Sequence, residues 1–291
     1  MLQVPEPRVG VFHCRGRDLP YGRRTLVIGI VNATFDSFSG DGLAGQIDRA
    51  VALARQMVAD GADLIDVGAE STRPGARPVP VEEELERAVS TVEAIAGAVE
   101  VPVSIDTRRA RVAEAALRAG AGLVNDVNGL QCEPELAAVA ASFQVPLIAM
   151  HSPGESWSVP WPAQYADVVD EVKRVLARAI EVAVAAGLTA DQVIVDPGFG
   201  FGKGAADNLT LVRRLGELRA LGCPVLLGAS RKQTIGRVLG LPVEDRLEGS
   251  LALVALGIAQ GVDLVRVHDV RESVRVARLA DAVVRVAWPD E

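Results

Sequence analysis

The feature that most constrains this chain is a unit repeated eight times: an apolar run of strand length ends in a polar residue, and a helical pattern or a loop follows. The runs are LVIGIVNAT (26–34), DLIDVGAES (63–71), VPVSIDT (101–107), GLVNDVN (122–128), VPLIAMHS (145–152), QVIVD (192–196), PVLLGAS (224–230) and LVRVHDV (264–270). Successive Val, Ile and Leu suit strands buried on both faces, as in a parallel sheet sandwiched by helices. Between them come helical patterns. One runs through Ile47, Val51, Ala54 and Val58 to Gly61, one starts at Val81, and one runs to Arg118 with Gly120 as its stop. A long helix is expected over about 164–186 and a last one over about 271–286. Strict alternation implies parallel strands joined by right-handed crossovers. Eight units in 291 residues favour an α/β fold closed as a (β/α)8 TIM barrel. An open doubly wound sheet is the alternative, but no GxGxxG follows the first strand. Residues 1–24, rich in Arg, Gly and Pro with one short strand over Val9–Cys14, are expected to form a short N-terminal cover segment over one end. No linker or low-complexity tract interrupts the rest, so a single domain over 1–291 is expected.

Composition narrows the function classes. An apolar content of 49% supports a large core, and a net charge of −8 argues against binding nucleic acid through overall charge. Cys14, Cys132 and Cys223 lie far apart with no CxxC, which points to neither a zinc site nor a disulfide framework. The N-terminus does not read as a signal peptide and no apolar run is long enough for a bilayer, so no membrane partner and a cytoplasmic location are expected.

The polar residues sit where such a barrel places its chemistry. In order they are Asn32, Glu70 to Arg73, Asp106, Asn125 and Asp126, His151, Asp196, Ser230 to Lys232, and Arg266 with His268. All close their strands at the carboxyl end, and those ends share one face. Taken singly, each is about as readily a loop-starting residue as a site residue. Together they split into two chemistries. Asp106, Asn125 and Asp196 offer carboxylate and amide groups to a flat, donor-rich heterocycle. Arg73, Lys232, Arg266 and His268, with Asn32, form an anion-seeking set.

Three motifs are discounted. GFGFGKG resembles a phosphate loop, but the first glycine of a Walker motif would fall on Pro197, and Gly204 stands in place of Ser or Thr. Ser230 has no marked general base, so it reads as a helix cap or an anion contact. His151 and His268 lack the spacing of a metal pair, and His13 lies in the cover segment.

At these residues the chain resembles the dihydropteroate synthase family. The likeness runs from about Leu26 to the C-terminus through GIVNATFDSFS, DVGAESTRPGA, SIDT, NDV, MH, DPGFGFGK, GASRK and RVHDV, in the family's order. It implies the barrel already inferred and a transferase of folate biosynthesis. That reaction joins 6-hydroxymethyl-7,8-dihydropterin diphosphate to 4-aminobenzoate and releases diphosphate, with Mg2+ present. By motif, the resemblance implies that Asp106, Asn125, Asp196 and Lys232 hold the pterin ring, with Met150 and Gly228 lining its slot. Asn32, Arg266 and His268 would hold the diphosphate, with Asn32 also near the magnesium. Thr72, Arg73 and the first loop with Asp36 would close over the leaving group, and Phe38, Pro74 and Phe201 would pack the aminobenzoate ring. The catalytic set implied is Asp106, Lys232, Arg73 and Asp36, with Ser230 among the binding residues. Sulfonamides are the expected inhibitors and a homodimer the expected assembly.

The chain departs from the family pattern at Phe35, where proline is common, at Gly40 and Asp41, which shift the loop's second acid, and at Gln233, where serine often follows the lysine. Two other readings stand beside this one. A methyltetrahydrofolate:corrinoid methyltransferase would share the ring-holding acids but has no use for a diphosphate cluster. A non-catalytic paralogue would bind pterin without turnover.

Overall fold

The computed structural model describes residues 8–33, 46–70, 79–153 and 162–285. After an N-terminal pair, β1 (Gly10–Cys14) and β2 (Arg17–Tyr21), come the barrel strands. These are β3 (Leu26–Asn32), β4 (Leu64–Gly68), β5 (Val103–Asp106), β6 (Leu123–Asp126), β7 (Leu147–Met150), β8 (Val193–Asp196), β9 (Leu226–Leu227) and β10 (Leu264–Val267). They pair in parallel in the order β8-β7-β6-β5-β4-β3-β10-β9. A bridge between Val195 and Val225, where the Val195 amide donates to the Pro224 carbonyl at 2.9 Å, joins the two ends of that row. All eight expected strands are present. The seventh is shorter than its apolar run, because the chain leaves the sheet at Gly228 and turns through Arg231 at φ +55°.

The helices between strands are α1 (Ile47–Ala59), α2 (Val81–Ala96), α3 (Ala110–Arg118), α4 (Glu135–Phe143), α5 (Val168–Ala185) and α6 (Ala205–Arg213). Two helices, α7 (Gln233–Leu239) and α8 (Leu247–Ala259), fill the last crossover before α9 (Val270–Val284). The expected long helix starts at Asp167, whose carboxylate accepts from the Val169 and Asp170 amides at 2.8 and 3.1 Å and so satisfies donors that a helix start leaves open. No described helix is long and apolar enough to cross a membrane.

Alternation along each strand sorts side chains between two places. Val27, Ile65, Val67, Ile105, Val124, Val195 and Val265 join the layer beneath the helices. Leu26, Ile28, Leu64, Leu123, Ile148, Ile194, Leu226 and Leu264 fill the barrel's amino end, together with Phe12, Cys14, Leu19 and Tyr21 from the cover segment. That segment is a hairpin rather than one strand, and its Phe12 and Tyr21 rings stack at 4.3 Å. Gly122 admits it: a Cβ there would meet the Cys14 carbonyl oxygen at 2.8 Å. With that end plugged, the open face is the carboxyl one.

Candidate active site

The same alternation continues up the strands, but the inward positions become polar. Asn32, Gly68, Asp106 and Asn125 stand in register across β3 to β6, and Met150 pairs with Asp196 across β7 and β8. The parity that sends Leu64 inward sends Asp66 inward too, and it is fully buried.

Arg266 ties this layer together. Its Nε donates to Asp66 at 2.6 Å and its Nη2 to Asp106 at 3.0 Å. Asp66 also accepts from Ser104 Oγ at 2.5 Å and from Asn125 Nδ2 at 3.1 Å. Four strands thus meet at one buried carboxylate. On the far side, a Cβ on Gly228 would lie 3.5 Å from Asp196 Oδ2 and 3.9 Å from the Arg266 Cβ, so the missing side chain leaves a slot against both. Asp196 Oδ1 is oriented by the Gly198 amide at 2.7 Å. Lys232 Nζ lies 3.8 Å from the centre of the Phe201 ring, a cation–π contact.

These groups are held away from their ordinary ionisation. Burial pushes the Asp106 carboxyl up to about 7 against the Arg266 guanidinium, while the Asp66 and Asp126 carboxylates push it further up. Burial pushes Asp196 up to about 6, opposed by its Gly198 hydrogen bond and by Lys232, Lys203 and Arg266. Lys232 comes down to about 7 through burial and then the Arg266 charge, with Asp196 and Asp106 holding it up. Raised Asp106 and Asp196 beside a lowered Lys232 put these three groups near their switching points, a pattern found where a buried rim awaits a polar ligand.

At the next rim position, Ser230 Oγ accepts from the His268 amide at 3.2 Å and lies 3.0 Å from Nδ1. A hydroxyl whose lone pair is so engaged can give its own proton to Nδ1, which leaves the imidazole N–H on Nε2. Arg231, between Ser230 and Lys232, points away into a two-bond pair with Asp269.

Of the residues expected at the site, Asp106, Asn125, Met150, Asp196, Phe201, Gly228, Ser230, Lys232, Arg266, His268 and Asn32 all lie on this one face. The expected separation of ring-holding acids from an anion set is not complete, because Arg266 is paired with Asp106 as well as with Asp66. Thr72, Arg73 and Asp36, with Phe35, Phe38, Asp41 and Pro74, fall outside the described residues. Asp126 is a turn cap, accepting from the Asn128 and Leu130 amides at 2.8 and 2.6 Å. Glu70 sets the start of the second loop: it pairs with Arg108 at 3.0 Å and accepts from the Val79 amide at 3.0 Å.

Asp66 was absent from the expected set. Its signal was a charge inside an apolar run, LIDVG, at an inward position where Leu or Ile would pack.

A closed parallel barrel whose open face presents buried carboxylates, an amide and cations to one slot defines a binder of a small polar heterocycle. In agreement, a family model described as pterin binding enzyme matches residues 28–268, and the chain belongs to that family. Dihydropteroate synthase of Bacillus subtilis (strain 168) is 43% identical over 284 residues, 98% of this chain and 97% of that protein. A Yersinia pestis dihydropteroate synthase in a sulfonamide drug complex superposes with a TM-score of 0.90 at 39% identity, covering 96% of this chain and all of that one. Dihydropteroate synthase from Xanthomonas albilineans in complex with 7,8-dihydropteroate gives a TM-score of 0.83 at 40% identity over 96% of this chain and 100% of that one. Within the pterin binders the chain thus falls among the dihydropteroate synthases, transferases of folate biosynthesis.

Proposed function

We propose that the chain condenses 6-hydroxymethyl-7,8-dihydropterin diphosphate with 4-aminobenzoate to give 7,8-dihydropteroate and diphosphate. The observation that carries this is the meeting of Asp106, Asn125, Asp196 and Lys232 with Arg266 over one slot floored by Gly228. Ionised Asp106 and Asp196 accept from the ring N–H and amino groups of the pterin, and a ligand without those donors leaves part of the acceptor capacity of two buried carboxylates unfilled. Arg266 serves both substrate halves. Nε and Nη2 stay on the acids, while Nη1 makes no hydrogen bond among the described residues and is placed for a phosphate oxygen. His268, with its proton on Nε2, is a second donor for the diphosphate.

The C–O bond to the diphosphate breaks with its electron pair leaving on oxygen. The pterin spreads the positive charge of its methylene, and the buried carboxylates of Asp106 and Asp196 favour that charge. The neutral aniline nitrogen then attacks the methylene and afterwards releases its proton. No strong base is required. Phe201 supports the aminobenzoate ring on one side of the slot, and Thr72, Arg73 and Asp36 are assigned to the leaving-group side by motif.

Magnesium fits this donor set as a substrate-borne ion. Among the described residues no group of three His, Cys, Asp or Glu side chains could hold a metal. Asn32 offers an amide oxygen near Gly68 and Asp106, 3.8 Å from where a Gly68 Cβ would stand. Magnesium commonly takes one or two protein oxygens and completes its shell with phosphates and water. When bound it would neutralise charge on the departing diphosphate.

Sulfonamides, which share the aniline of aminobenzoate, are the inhibitors this site should take. A homodimer is supported by Leu256 on α8 and by Leu279 and Val283 on α9, which are 53%, 70% and 69% exposed. A cytoplasmic location goes with the pathway. Mixing the protein with the pterin diphosphate and 4-aminobenzoate and following diphosphate release tests the reading: release dependent on both substrates is expected. Pterin binding without release would leave a non-catalytic binder.

A further inference from the structure

Two residues that the sequence singles out have no part in the reaction above. Lys203 closes DPGFGFGK and His151 directly follows β7, and both are buried. A lysine in a glycine-rich loop suggests a phosphate contact, but the geometry excludes it. An ammonium has three hydrogens. Around Lys203 Nζ stand four acceptors: His151 Nδ1 at 2.8 Å, the Gly198 carbonyl at 2.9 Å, the Phe201 carbonyl at 2.9 Å and, more distantly, the His151 carbonyl at 3.4 Å. No donor remains for an anion. His151 can accept because burial and the adjacent ammonium lower it to about 2, so its imidazole stays neutral.

The first glycine of the loop is explained by the same centre. Gly198 has φ +65°, and a Cβ there would fall 1.9 Å from the His151 carbonyl oxygen and 3.2 Å from Lys203 Nζ. The loop is therefore wrapped around its own ammonium, and what it presents outward is the Phe201 ring under Lys232.

We propose that Lys203 is a positioning residue for the pterin slot: its ammonium fixes the Phe201 carbonyl, and through it the ring on which Lys232 rests. Lys232 needs such a support. It is a long, flexible side chain with rotamer freedom to lose, and it stands beside Arg266, whose charge repels it. The inference depends on the reading of Lys232 as a pterin contact.

The test titrates 6-hydroxymethylpterin, which lacks the diphosphate, into wild type, Lys203→Met, Lys232→Met and the double variant. Lys203→Met should weaken binding about tenfold in the wild-type background and less than about twofold when Lys232 is already Met, the non-additivity expected of residues acting as one unit. In turnover, KM for the pterin diphosphate should rise by a similar factor with kcat changed less than about threefold, as for lost uniform binding. An equal loss in both backgrounds, or unchanged affinity, overturns the proposal. If Lys203→Met does not fold, His151→Leu removes the imidazole acceptor and should weaken binding about threefold, again only with Lys232 present; unaltered binding overturns the proposal equally. Failure of the wild type to bind 6-hydroxymethylpterin would instead refute the pterin reading and leave the role of Lys203 as a loop centre intact.

Discussion

The two ends of the barrel interior are built from the same strands and differ in what their inward positions carry. At the amino end Leu26, Leu64, Leu123, Ile194 and Leu264 pack beneath the hairpin's stacked Phe12 and Tyr21. One inward step further along four of these strands stand Asp66, Asn125, Asp196 and Arg266. The first set gains stability by leaving water. The second is desolvated at a cost that its internal pairs only partly offset, since Asp106 and Asp196 remain raised despite Arg266 and Lys232 nearby. One end holds the fold together, and the other keeps charges ready for a ligand.

The largest expected effect belongs to the carboxyl end. Asp196→Ala should lower kcat/KM about a thousandfold or more and abolish binding of 6-hydroxymethylpterin by calorimetry, because a built-in acceptor for the ring's donors is gone. Its thermal midpoint should hold or rise, since a desolvated charge is removed. Near-native turnover would refute the assignment, and a collapse in stability would erase the contrast between the ends.

Phe12→Ala should do the reverse. A fully buried ring removed from the plug costs about 3–5 kcal/mol in urea unfolding, while pterin affinity, measured where the variant is still folded, should stay within about twofold. Loss of affinity without loss of stability would mean that the hairpin shapes the slot from below.

Titration sharpens the same contrast. Asp106 and Asp196 have native values of about 7 and 6 against 3.8 for the free side chain, and Asp126 comes up to about 6. A raised carboxyl favours the fold while protonated, so that contribution is present below about pH 4 and lost as pH rises through 6 to 7. Buried Glu84 and Asp263 are raised too and act in the same direction, while His151, kept neutral, and the lowered surface carboxylates Asp167, Glu171 and Glu217 oppose them. Lys203 and Lys232 are lowered to about 7 from 10.5, so the fold regains stability as pH rises from 7 toward 10. The ligand-free protein should therefore melt at its lowest temperature near pH 7. Affinity for 6-hydroxymethylpterin should rise with pH through 6 to 7 as its acceptors ionise. A flat or monotonic melting profile would break the account.

How much of this the sequence discloses follows from what each feature depends on. The eight strands were legible because periodicity and polar ends are local. Asp106, Asn125 and Asp196 were legible as strand-end polar groups, and the structure brings them to one slot. Asp66 was not, although counting inward positions from Leu64 would have found it. Its partner Arg266 lies 200 residues away, so the pairing exists only once β10 stands beside β3. The second hairpin strand, RDLPY, hid behind two charges and a proline, which an edge strand of a two-stranded pair tolerates. The role of Lys203 was hidden for a similar reason: one of its acceptors, His151, lies 52 residues earlier, just past β7. Local pattern located the rim, and long-range pairing decides which rim groups bind and which hold others in place.

The smallest effect concerns how the plug is attached. Arg17, on β2, donates from Nη1 to the Val101 carbonyl at 2.7 Å and from Nη2 to the Ala96 carbonyl at 3.2 Å. Ala96 is the last residue of α2, where an unpaired carbonyl and the helix dipole both favour a cation. These bonds are only part-buried, so water can replace the guanidinium in an Arg17→Ala variant. The expected cost is about 1–2 kcal/mol in urea unfolding, with turnover unchanged. If Arg17→Ala costs as much as Phe12→Ala, the hairpin is held by its polar straps rather than by its rings, and the amino end is not the apolar counterpart of the rim.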